Sequence, residues 1–72
     1  MWTARFEVWK SNKTSYYYCA TRYCLPTAQE YCLGTLGRAC KFRKNGRKNE
    51  WVVYKTGIDK EDVRVALIKE VK

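Results

Sequence analysis

Between Arg38 and Lys48 the chain reads Arg-Ala-Cys-Lys-Phe-Arg-Lys-Asn-Gly-Arg-Lys. Arg38, Lys41, Arg43, Lys44, Arg47 and Lys48 are cationic, and no acid interrupts them. Side chains of this kind neutralise phosphates and release their counterions, which makes binding steeply salt-dependent. The formal net charge of the chain is +8, so these six leave only +2 for all other residues. At the centre of the run lies Asn45-Gly46, the dipeptide best suited to a two-residue hairpin turn, where both central positions need positive φ. A basic hairpin tip or loop over 38–48 is therefore predicted; with a true turn at Asn45-Gly46, Lys41 to Lys44 pairs back onto Arg47 to Trp51.

A second chemistry available to this composition is base stacking. Aromatic side chains beside Lys and Arg on a strand can stack bases while the cations hold the backbone. Trp9, Tyr17 and Tyr23 share predicted strand faces with polar residues and are the candidate platforms. Trp2, Phe6, Tyr18, Trp51 and Val53 are expected in the core, because a chain this small needs most of its large side chains there.

The cysteines are less suggestive. Cys19, Cys24, Cys32 and Cys40 contain no Cys-x-x-Cys knuckle, and the chain has no His, so a structural zinc site is not expected. On one helix Cys32 and Cys40 would lie roughly 12 Å apart, beyond disulfide reach. Buried free thiols are the simplest expectation, with cross-element disulfides the alternative. Without His there is no base for a conventional nucleophilic triad. No carboxylate pair stands out, and Gly34-Thr35-Leu36-Gly37 lacks the ending of a phosphate-cradling loop. A non-enzymatic protein without cofactors is expected.

These residues need a scaffold. Seventy-two residues suggest one compact domain over 1–72, and a chain of this size buries only roughly 60% of its unfolded surface. Thr3 to Lys10 alternates, with Trp2, Ala4, Phe6 and Val8 on one face and Thr3, Arg5, Glu7 and Trp9 on the other. Tyr16 to Tyr23 forms a second strand, placing Tyr16, Tyr18 and Ala20 opposite Tyr17, Cys19, Thr21 and Tyr23, and the two strands should form an antiparallel hairpin. Pro26 stops the second strand. Thr27 with Glu30 resembles a capping box and predicts a helix from about Ala28 to Cys40, with Gly37 as an earlier possible end. Trp51, Val52, Val53 and Tyr54 mark a further strand.

At the C-terminus, Asp59 as cap, Asp62 three residues on, and an Ile58–Val63 staple favour a second helix with Val63, Ala66, Leu67 and Val71 as its stripe. A strand is the competing reading, since Val63, Val65, Leu67 and Val71 also fit a period of two. The predicted fold class is α+β: a small antiparallel sheet of three to four strands, one helix between strands 2 and 3, and a C-terminal helix.

The function expected from this pattern is a nucleic-acid-binding module, for DNA or RNA. Its candidate residues are Arg38, Lys41, Arg43, Lys44, Arg47 and Lys48, with Trp9, Tyr17 and Tyr23. The alternative is a small basic inhibitor or regulator, of the kind viruses encode, docking on an acidic surface of a larger enzyme. A structural subunit that neutralises nucleic acid inside an assembly is a third class. No apolar run approaches the ~20 residues of a membrane span, and the N-terminus has no secretory pattern, so an intracellular protein is expected.

Overall fold

The computed structural model describes residues 4–12, 14–46, 49–57 and 61–71. In chain order it contains β1 (Arg5–Asn12), β2 (Ser15–Arg22), α1 (Leu25–Leu36), β3 (Lys41–Lys44), β4 (Glu50–Thr56) and β5 (Asp62–Val71). The strands form one five-stranded sheet in the order β2-β1-β5-β4-β3. All four pairings are antiparallel. Two hairpins, β1–β2 and β3–β4, are thus joined by the last strand, which lies between them.

This overturns the predicted C-terminal helix. Residues 62–71 are a strand, and among the described residues α1 is the helix of the fold. Asp59 and Ile58, the cap and one half of the staple, lie outside the described residues. The helical pattern was local, whereas the decisive interactions are distant. β5 pairs with β1 from Arg5↔Val71 to Lys10↔Ala66, and with β4 from Glu50↔Lys69 to Thr56↔Asp62. Ala66 and Ile68 lie beneath the helix while Leu67 is buried among side chains on the opposite face, so the three are buried consecutively rather than alternately. Ile68, fully buried, belongs to neither the helical stripe nor the period-two set.

α1 crosses from one sheet edge to the other and covers one face. Ala28 and Cys32 of the helix are buried against Phe6, Val8, Val53, Ala66 and Ile68, with Cys40 closing the cluster. The helix begins earlier than predicted. Cys24 is its N-cap and Pro26 sits in its first turn, where a missing N–H costs nothing. Thr27 donates back to the Cys24 carbonyl at 2.9 Å instead of forming the expected box with Glu30. Glu30 instead pairs with Arg38 at 3.1 Å. The helix ends at Gly37, whose φ of 114° suits glycine and whose N–H reaches the Leu33 carbonyl at 3.2 Å.

The β3–β4 hairpin forms, but not with a two-residue turn. Lys44 faces Trp51, and the Asn45 N–H donates to the Glu50 carbonyl at 2.9 Å. The loop is therefore longer than Asn45-Gly46, and the partners of Lys41 to Lys44 are Trp51 to Tyr54. Gly46 has the positive φ expected of it, at 55°.

The strand assignment of the C-terminus has a direct test. Ile68→Ala is expected to cost about 2–5 kcal/mol through loss of packing and the cavity left behind. Val63→Ala, at a side chain 51% exposed, is expected to stay within about 0.5 kcal/mol of the parent. Urea unfolding of the two variants would reverse this order if Val63 belonged to a buried helical stripe.

Candidate nucleic-acid interface

Two side chains directly opposite in an antiparallel pair lie on the same face of the sheet. Applied to the pairings, this separates the face under α1 from a face that no described element covers. The open face carries Glu7 and Trp9 from β1, Lys69 and Leu67 from β5, Glu50, Val52 and Tyr54 from β4, and Lys41 and Arg43 from β3. Val52 and Leu67 are buried yet stand apart from the cluster beneath the helix. Rings and aliphatic stems on the open face provide their cover.

Two irregularities in the ladders complete this face. Val8 pairs with Ala20 but Trp9 pairs with Tyr18, leaving Cys19 as an extra residue. Val53 pairs with Ala66 but Tyr54 pairs with Arg64, leaving Val65 extra. A bulge shifts every side chain beyond it to the other face. Tyr16 and Tyr18 therefore join Thr21 on the open face, and Arg64 joins Tyr54. Strict alternation had put Tyr16 and Tyr18 with Ala20, and Tyr18 in the core. Tyr18 is instead 50% exposed and its hydroxyl hydrogen-bonds the Thr21 hydroxyl.

The open face alternates rings and cations. Trp9 and Tyr18 meet edge to face at 5.7 Å. The Lys69 ammonium lies 5.4 Å from the Trp9 ring centre, and the Trp9 indole N–H donates to Glu7 at 3.4 Å. The Arg43 guanidinium lies 5.3 Å from the Tyr54 ring centre. The Tyr16 side chain first, and then that of Tyr54, raises the pKa of Arg64 above the ordinary arginine value. The Trp9 and Tyr54 rings hold Lys69 and Arg43 in place by attraction to their π faces.

The predicted site residues divide accordingly. Trp9, Lys41 and Arg43 share the open face. Lys44 lies on the helix side, 5.8 Å from the Trp51 ring. Arg38 follows the helix and is held by Glu30. Tyr17 is on the helix side of β2 at the sheet edge, and Tyr23 is in the exposed segment after it. Trp2, Arg47 and Lys48 lie outside the described residues. The contiguous run of cations is thus dispersed, and residues it omitted take its place: Tyr16, Tyr18, Tyr54, Arg64 and Lys69. Period two with a bulge in each of two strands was the signal, and it needs the pairing partners to be read.

Of the other chemistry, the four cysteines are free. Among the described residues no group of three His, Cys, Asp or Glu side chains is arranged to hold a metal ion. No described helix is long and apolar enough to cross a membrane. No family model matches the chain, and neither a curated protein nor a solved structure is found to be similar to it.

The thiols differ sharply in environment. Cys24, exposed at the start of α1, has its pKa lowered by the Thr27 hydroxyl, 3.3 Å from its sulfur, and by the Thr27 backbone. Burial pushes Cys32 up to about 11. Thiolate is the reacting form. Alkylation of the folded protein near neutral pH should therefore label Cys24 first and spare Cys32, and Thr27→Val should slow the Cys24 reaction. Peptide mapping after a short iodoacetamide pulse reads both rates, and early labelling of Cys32 would contradict the packing described.

Proposed function

We propose that the open face of the sheet binds single-stranded nucleic acid, without catalysis. The observation that carries this reading is the interleaving of Trp9, Tyr16, Tyr18 and Tyr54 with Lys41, Arg43, Arg64 and Lys69 on one uncovered face. Unpaired bases stack on aromatic rings whatever their identity, while cations beside the rings take the phosphates. A duplex hides its bases, so a surface built this way favours single strands. The chain's charge of +8 draws a polyanion towards it over longer range.

In this reading Lys69 and Arg43 occupy ring faces in the free protein and turn to phosphates when bases replace them. The rings and cations contribute in separable ways. Tyr18→Ala should weaken binding of a fluorescent single-stranded oligonucleotide by roughly 1–3 kcal/mol, with the salt slope unchanged. Arg43→Gln should lower the slope of log affinity against log salt by about 0.7, the value for one phosphate contact on a single strand. Lys44→Gln, on the helix side, should change the slope less.

A salt titration of these three variants and the parent, on single- and double-stranded oligonucleotides, decides the matter. No binding by the parent at low salt removes the proposal. Binding that ignores Tyr18 but follows total charge would leave general attraction to polyanions. The alternative docking on an acidic protein surface would then take precedence.

A further inference from the structure

The two edges of the sheet differ in a way that the proposed binding face does not use. β3 is four residues long and contains Lys41, Arg43 and Lys44. Short, cationic edges of this kind resist addition of another strand. β2 is eight residues long, and from Ser15 to Thr21 it contains no charged residue. The other four strands each carry at least two. β2 is also rich in tyrosine, which favours strand pairing, and among the described residues no strand lies beside its outer backbone groups. Its first four residues, Ser15 to Tyr18, are its most open part, with Tyr17 48% and Tyr18 50% exposed.

We propose that β2 pairs antiparallel with β2 of a second copy of this chain, joining the five strands of each copy into one continuous sheet. Charge permits this occupant. Two chains of +8 repel wherever their cations meet, and the uncharged run of β2 is the strand edge where they can approach without opposing like charges. Symmetry also favours it. An antiparallel pair of identical strands is related by a twofold axis, so each copy offers the same surface and no β2 edge remains free. With the β3 edges guarded by cations, assembly stops at two copies.

The axis stands perpendicular to the sheet. Both open faces then look the same way, and Tyr16 and Tyr18 of one copy lie beside those of the other. An interface of one strand edge and its flanking rings is small, so the dimer is weak and concentration-dependent. Added salt screens the repulsion and strengthens it, the opposite of the salt effect on phosphate binding.

Sedimentation equilibrium of the purified chain, free of nucleic acid and over a dilution series at low and high salt, tests this. The expected result is a mass rising from one copy to two and no further, with more dimer at high salt. Tyr17→Lys places a cation on the edge of each copy and should remain monomeric while keeping the parent's circular dichroism. Ser15→Lys, at an exposed position, serves the same purpose if Tyr17→Lys does not fold. Lys44→Gln, on the opposite edge, should dimerise like the parent. A parent that stays monomeric at its highest concentration and salt would overturn the proposal. So would growth beyond two copies, or folded edge-lysine variants that dimerise unchanged.

Discussion

The structure depends on β5 being held by hydrogen-bond ladders on both sides. Without it the chain consists of two hairpins and a helix, and an isolated hairpin is marginal in water. With it, Val8, Ile68 and Trp51 line up across three strands, as do Lys10, Ala66 and Val53. That places Val8, Val53 and Ile68 under α1, where all three are fully buried. The arrangement is non-local by construction, since β1 finds its second partner only near the other end of the described chain. Closure of a loop of this length precedes any gain from the contacts, so sheets of this type fold slowly compared with helical domains of equal size.

The same ladder that builds the core exposes the candidate interface. One helix can cover one face of a sheet, and among the described residues there is no second helix to cover the other. The uncovered face protects Val52 and Leu67 with rings, and it holds those rings with cations rather than with aliphatic side chains. This solution stabilises the face and also leaves it chemically expressive. Lys10 and Arg22 show that cation–ring contact alone does not mark a binding face. They lie 5.9 Å and 4.8 Å from the Tyr31 ring on the helix side, where they border the core. What distinguishes the open face is the absence of a described element above it.

The sequence disclosed much of this and hid the rest for identifiable reasons. Alternation from Ala4 to Trp9 assigned both faces of β1 correctly, because that strand runs without interruption until its bulged partner residue. The β1–β2 hairpin and the helix between β2 and β3 were likewise legible, the helix stopping at the earlier of its two predicted ends. The C-terminal strand was obscured because burial on both faces erases period two, while acids near Asp62 imitate a helix start. The basic run was conspicuous as a sequence but misleading as a surface. Alternation along β3 sends Lys41 and Arg43 to one face and Lys44 to the other, and Arg38 precedes the strand altogether. Arg64 and Tyr54 sit ten residues apart in sequence and become neighbours only through the β4–β5 register.

The extra residue at Cys19 has a consequence for how this protein can vary. On either side of it, the face a side chain occupies is set by residue count rather than residue type. Substitutions at Tyr16, Tyr18 and Thr21 change what the open face presents. Loss of the bulge with every residue kept would pair Trp9 with Cys19 and carry Tyr16 and Tyr18 to the side of the helix, whereas deletion of Cys19 would leave both on the open face. In this strand the pairing register, and not the type of residue, therefore decides which face its rings occupy.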